Sequence, residues 1–265
     1  PTPPPPTYAE NLTCCVCMDD LQVDSTTFSR MACCGKAWHY HCDKQVRRSK
    51  MSLAQKNRCP ECRQKFPSSE KDAVDKTRVW VDKGKAWAQT MLACKYRYGE
   101  GVPQSYEEAI EYYNMAIKQG DPNAMFGLAG MYYQGQGVAQ SFKTASELFA
   151  FAANQKHATA QFNLGVFYRD GTGVAQSYEK SIELFTLAGK QEQVNAQFNL
   201  GLLYYNGNGV AQSNNMARKW WLKAALLEYE GAIKNLKIID EEEGKTTPTL
   251  PCCANCGTNK TTRRP

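Results

Sequence analysis

One pattern constrains this chain more than any other: it repeats itself every 36 residues. Gly-x-Gly-Val stands at 99–102, 135–138, 171–174 and 207–210, with no insertion between copies. Gln-Ser follows in the same register at 104–105, 140–141, 176–177 and 212–213. Leu92, Leu128, Leu164, Leu200 and Leu236 keep the step and carry it into a fifth, partial unit, as do Ala88, Ala124, Ala160, Ala196 and Ala232. A strict period of about 20–50 residues marks stacked supersecondary units, each too small to bury its own apolar face. Residues 83–239 are therefore expected to form one such array.

A single unit can be read physically. A first helix carries Ala160, Phe162, Leu164, Phe167 and Tyr168, and ends at Gly171, where glycine can take φ > 0 and close it. Gly173 turns the chain back, and Ser177 stands where an N-cap belongs. In the first unit the matching Ser105 has Glu108 three residues on, which predicts a full capping box. The second helix shows Tyr106, Ala109, Ile110, Tyr113, Ala116 and Ile117 as one apolar stripe. Asp121-Pro122 predicts a cap followed by a first-turn proline. The alanines mark close helix approach; the aromatics fill the gaps between units.

The pattern A-x-x-x-L-G-x-x-Y, then G-x-G-V, then a second helix with paired alanines resembles Sel-one-like repeats, relatives of the tetratricopeptide repeat. The resemblance covers about 150 residues. It implies a mainly α fold, a right-handed α-solenoid of helical hairpins, that binds protein partners or scaffolds a complex. Nothing in the repeats suggests catalysis: they hold one histidine, His157, placed near a helix end, and no recurring acid–base pair. Asn163, Asn199 and Asn235 recur at the same step, and recurrence in every layer favours a structural role over a peptide groove.

The second signal is sulfur. Of 12 cysteines, eight lie between residues 14 and 62, three near the end, and Cys94 alone in the middle. The first group reads Cys14-x2-Cys17, Cys33-Cys34, His39-x2-Cys42 and Cys59-x2-Cys62. Tight C-x2-C pairs without a secretory signal point to metal rather than disulfides. Thiolate and imidazole suit zinc, and eight ligands make two tetrahedral sites. A segment of about 50 residues makes little core, so two Zn2+ ions would supply its folding free energy.

This layout resembles a RING finger over residues 13–66, a small cross-brace α+β domain preceding the solenoid. The resemblance implies one site of Cys14, Cys17, His39 and Cys42 and a second of Cys33, Cys34, Cys59 and Cys62. The family usually has a Cys or His two residues after the third ligand, where this chain has Lys36; adjacent Cys33 is recruited instead. The family implies a ubiquitin-protein transferase that acts without a covalent intermediate. It recruits a charged ubiquitin-conjugating enzyme and holds the thioester in a reactive conformation. The expected contacts are Val16 before the second ligand, Pro60 in the last knuckle, and Arg63 after the last ligand, whose planar fork of donors suits bridging to ubiquitin. Against this, the family often has tryptophan three residues before the seventh ligand, where this chain has Lys56.

The rest is connecting chain. Residues 1–12 form a proline-rich lead, 67–82 a linker turning helical with Ser68 or Ser69 as cap, and 240–250 an acidic then Pro/Thr-rich linker. In residues 251–265, Cys253 and Cys256 resemble the opening knuckle of a MYND-type zinc finger. Such fingers need further Cys and His ligands, so Cys253 and Cys256 stand as a possible incomplete metal site, either a fragment of a finger or an unfolded remnant, and no metal is assigned to the pair alone. The net charge of +6 includes no long basic run, which argues against nucleic acid. No window reaches the ~18 apolar residues of a membrane-spanning helix, and zinc-bound thiols favour the cytosol or nucleus. Two functions follow: a ubiquitin ligase whose repeats select a protein substrate, or a non-enzymatic zinc-dependent adaptor.

Overall fold

The computed structural model describes residues 65–244, Cys59, and the backbone of two short strands. β1 (Phe28–Arg30) and β2 (Ala37–His39) pair antiparallel, with Phe28 opposite His39 and Arg30 opposite Ala37. Ten helices follow among the described residues: α1 (Glu70–Asp82), α2 (Ala86–Tyr98), α3 (Tyr106–Ile117), α4 (Pro122–Gln134), α5 (Phe142–Asn154), α6 (Ala158–Asp170), α7 (Tyr178–Lys190), α8 (Val194–Asn206), α9 (Asn214–Leu226) and α10 (Glu230–Glu242). Even-numbered helices are the first helices of each repeat and odd-numbered ones the second. The contact pattern divides the chain into two units after Leu187, inside α7.

In the first unit the helical array begins earlier than the repeat register at 83. The segment 67–82, read as a linker turning helical, is a capped helix in the second-helix register, with Val74 and Thr77 buried. Ser69 caps it: its Oγ accepts the Asp72 N–H at 3.1 Å, while the Ser68 N–H donates to Asp72 Oδ2 at 2.9 Å.

The hairpin joint explains the Gln-Ser repeat. Each first helix ends on a left-handed glycine, Gly99, Gly135 or Gly171. The serine that follows serves both helices. Its Oγ accepts an N–H three residues on, as Ser105 does from Glu108 and Ser141 from Thr144. Its own N–H donates back to the preceding helix, from Ser105 to Tyr96 O and from Ser141 to Tyr132 O, both at 3.0 Å. The capping box expected at Ser105 is therefore half a box: the N–H that Glu108 would have taken is bonded to Tyr96. The glutamine satisfies another end carbonyl. Gln104, Gln140 and Gln176 donate from Nε2 to Arg97, Tyr133 and Arg169 O at 2.8, 2.9 and 2.7 Å. A helix leaves four such carbonyls orphaned, and here one side chain per repeat takes one of them.

The second glycine of Gly-x-Gly-Val makes the stacking contact. A Cβ at Gly137 would stand 2.3 Å from Tyr106 Cβ, and one at Gly173 2.4 Å from the Phe142 carbonyl carbon. Each turn thus rests on the first residue of the second helix one layer before, at a separation only hydrogen allows. The recurring alanines Ala88, Ala124 and Ala160 are fully buried. Around Ala124, Tyr113, Leu128 and Met131 form one cluster, and around Ala160, Phe149, Leu164 and Phe167 form another.

In the second unit, α8, α9 and α10 close around Trp221, Leu236 and Ile239. The acidic run read as a linker from 240 starts inside α10. Arg218 on α9 donates to Asp240, which is buried, and to Glu243 Oε2 at 2.9 Å. The cation that turns these acids into a helix end lies 22 and 25 residues upstream, too far for a local reading to connect them.

Candidate functional site

Two candidate regions emerge: the sulfur-rich head and the outer face of the first unit. Of the head's expected ligands, His39 ends β2, opposite Phe28, and Cys59 is completely buried. Cys14, Cys17, Cys33, Cys34, Cys42 and Cys62 lie outside the described residues, as do the expected contacts Val16, Pro60 and Arg63 and the terminal Cys253 and Cys256. Among the described residues no group of three or more His, Cys, Asp or Glu side chains is placed to hold a metal ion. No described helix is long and apolar enough to cross a membrane.

The polar side chains inside the repeats are structural. His157 is an N-cap: its Nδ1 accepts the Ala160 N–H at 3.1 Å, and its ring stacks on Phe126 at 4.9 Å. Asp121 and Gln193 hold the same register one repeat either side, capping through Asn123 N–H and Ala196 N–H. Asn199 donates to Asn195 O at 2.8 Å within its own helix. Cys94 Sγ lies 3.1 Å from Tyr113 Oη. Burial pushes both the Cys94 thiol and the Tyr113 phenol up, so both stay protonated near neutral pH. That pair fills space and exchanges a hydrogen bond; it is no nucleophile.

The outer face is where the first unit departs from a merely solvated surface. Val79, Met115, Phe151 and Leu187 occupy one register position on α1, α3, α5 and α7, and are 51, 37, 62 and 48% exposed. One helical turn earlier on the same face stand Asp75, Glu111, Glu147 and Glu183, all exposed. These carboxylates make no ion pair with any described residue. At this register each second helix of the first unit thus exposes one apolar residue and, a turn earlier, one acidic residue. Reading along each helix hides them, because every helix contributes one unremarkable residue of each kind. Reading the sequence in columns of 36 would have found them.

The Sel1 repeat family model matches residues 88–121, 122–157, 158–192 and 194–229. Among solved structures, the chain is similar to c5321, a protective antigen of uropathogenic Escherichia coli strains that displays the SLR fold. The two are 27% identical over 68% of this chain and 39% of that one, with a TM-score of 0.61. A Sel1 repeat protein from Oxalobacter formigenes is 26% identical over 64% of this chain and 70% of its own, also with a TM-score of 0.61. The chain thus spans about two-fifths of the length of the first of these. No curated protein matches.

Proposed function

The chain belongs to the Sel1-repeat family of helical scaffolds for protein–protein interaction, and from that premise we propose that it is a ubiquitin ligase whose repeats recruit the protein to be modified. The observation that carries this reading is the ligand series Cys14, Cys17, Cys33, Cys34, His39, Cys42, Cys59 and Cys62 ahead of the repeats. Seven sulfurs and one imidazole nitrogen are the donor set of closed structural zinc sites. The complete burial of Cys59 fits a ligand shielded from water. When bound, zinc cross-links the head and stabilises a segment too short to hold itself by its core.

In this reading the head forms no covalent bond. Val16 and Pro60 give the conjugating enzyme an apolar docking surface. Arg63 reaches from that enzyme to ubiquitin and restrains the thioester in an attack-ready pose. A protein held on the repeats then presents its lysine. One observation favours a second reading. Lysines stand at positions 36 and 56, where the resembled family has a ligand and a tryptophan; they favour an adaptor in which zinc module and repeats both serve assembly alone.

Native mass spectrometry and an autoubiquitination assay with a panel of conjugating enzymes separate these readings. The ligase reading expects two zinc ions per chain and ubiquitin chains with at least one conjugating enzyme. Arg63→Ala should suppress chain formation and leave zinc content intact. Two zinc ions with no chains from any enzyme would leave the adaptor; a folded, zinc-free head would remove both readings.

A further inference from the structure

Arg97, at the end of α2, is a buried cation whose partners leave its charge unanswered. It is 7% exposed. Nε donates to Gln136 Oε1 at 2.8 Å, Nη1 to Gly127 O at 3.2 Å and Nη2 to Gln134 Oε1 at 3.2 Å. All three acceptors are neutral, and no carboxylate among the described residues pairs with it. The nearest acid along the chain, Glu100, is held by Lys95 at 2.6 Å. Taking a cation out of water without a counter-ion is costly. Two other partly buried guanidiniums avoid that cost: Arg169 pairs with Asp170, and Arg218 with Asp240 and Glu243. At the register of Asp170 the first repeat has Tyr98 instead, and its ring centroid lies 5.1 Å from Arg97 Cζ.

The guanidinium also has an opening in front of it. A Cβ at Gly130, inside α4, would stand 3.2 and 3.3 Å from Nη1 and Nη2 and 3.7 Å from Cζ, with no other side chain nearer. Because both Nη atoms are nearer to that point than Cζ is, the point lies beyond the tip of the fork and not over its flat face. The same register holds Val166, Leu202 and Ile238 in the later repeats. Glycine disfavours a helix interior, and here it leaves the tip without such a cover. Gly130 is itself partly exposed, so the opening reaches solvent. A guanidinium carries five N–H groups. Three are used, and one on each Nη is left.

We propose that this tip binds the side-chain carboxylate of an acidic residue in a partner protein. One positive charge and two remaining donors match a monoanion with two acceptor oxygens. Tyr98 is 57% exposed and has the guanidinium against its ring, so its open side offers apolar surface to the residue beside that acid. The inference rests on the reading of the repeats as the recruiting arm and names the chemistry that arm recognises. The experiment below reads Arg97 and Gly130 directly, so its outcome is independent of whether the head forms ubiquitin chains.

The test is a nitrogen-15 NMR titration of the full chain with acetyl-leucyl-glutamyl-leucine amide, against the same peptide with glutamine in place of glutamate. Expected are saturable shifts of the Arg97 Nε–H and the Gly130 backbone N–H, with the glutamate peptide binding at least tenfold tighter. Gly130→Ala, which places a methyl group at the tip, should weaken that binding at least tenfold with circular dichroism unchanged. Arg97→Lys should weaken it by a similar factor, since a lone ammonium has no fork. The comparison of the two peptides on the parent chain holds whether or not either variant folds. Equal response to both peptides, or binding of the glutamate peptide undiminished in Gly130→Ala, overturns the proposal. So does a phosphoserine peptide of the same sequence that binds tenfold tighter than the glutamate one, which would make the occupant a phosphate.

Discussion

Gly201→Ala sets helix propensity against packing, and the structure says which wins. Gly201 lies inside α8, where alanine is worth about 1 kcal/mol more than glycine. By that term alone the substitution stabilises. A Cβ at this site, however, would stand 2.1 Å from Trp221 Nε1 and 2.3 Å from Trp221 Cδ1. The indole is 1% exposed, so it has nowhere to go. Its Nε1–H donates to Phe198 O at 3.0 Å, and any movement away from the new methyl loosens that bond. Overpacking costs about 1–3 kcal/mol and a buried donor left unsatisfied about 1–3 more. Less the propensity gain, the net loss is about 1–5 kcal/mol.

The repeat register supplies the rescue. Position 201 with 221 corresponds, two repeats earlier, to Ala129 with Phe149, which share one buried cluster. Ala with Phe is thus a combination this architecture already uses. Trp221→Phe alone removes the hydrogen bond and opens a void, at about 2–3 kcal/mol. Adding Gly201→Ala to it should cost nothing further, a coupling equal to the whole single-variant loss of about 1–5 kcal/mol. Urea denaturation of the four proteins, followed by far-ultraviolet circular dichroism, measures this. Simple additivity, or a Gly201→Ala chain more stable than its parent, would refute the reasoning.

Three further outcomes follow from the same geometry. The residue closing each second helix is left-handed in every layer: Gly84 and Gly120 at φ 72° and 82°, then Lys156, Glu192 and Glu228 at 65°, 63° and 60°. Replacing each of the last three by glycine should gain about 0.5–1 kcal/mol, the relieved strain less glycine's greater unfolded-state entropy, and thermal melts of the triple variant should show the sum. Arg218→Ala leaves the Asp240 carboxylate buried without its cation and should cost about 3 kcal/mol, while Arg218→Lys should recover only part, since one ammonium cannot serve Asp240 and Glu243 as the guanidinium fork does. The Ser68 N–H, then Lys76, hold the Asp72 carboxyl below its ordinary 3.8. Its folded value is the lower one, so its contribution is complete above 3.8 and fades as pH falls through the folded value; amide exchange at the start of α1 should accelerate there, and Asp72→Asn should remove that pH dependence.

How much of this was legible in the sequence depends on how far apart the cooperating residues lie. Where cause and effect sit within one turn, the residues speak for themselves. Gly171 closes a helix, Ser141 caps one, and Asp121-Pro122 opens one because each acts on its own neighbours. The glutamine of Gln-Ser repeats as visibly as the serine, yet its purpose is hidden. It bonds a carbonyl seven residues back, across a turn whose path had to be known first. The second glycine of the hairpin turn misled in the same way: φ explains it locally, but the closer constraint is a helix start more than thirty residues earlier.

Charge was the least legible quantity, because its meaning depends on what stands beside it in space. Asp240, Glu241, Glu242 and Glu243 look like a solvated tail in one dimension; Arg218 makes two of them a helix end. Glu111 and Glu147 look like ordinary solvent-facing residues of amphipathic helices, and taken one helix at a time that is what they are. In a repeat array, however, the equivalent residue of the next layer is the one 36 positions away, so a substitution that is neutral in one helix changes a surface when it recurs. A column that holds its sign through four layers and reverses to Lys219 in α9 is patterned at the level of the array. Solvation of individual helices imposes no such agreement between layers. The surface of a repeat protein is therefore read down its columns, and the residues most worth altering are those whose column agrees while their own helix gives no reason for it.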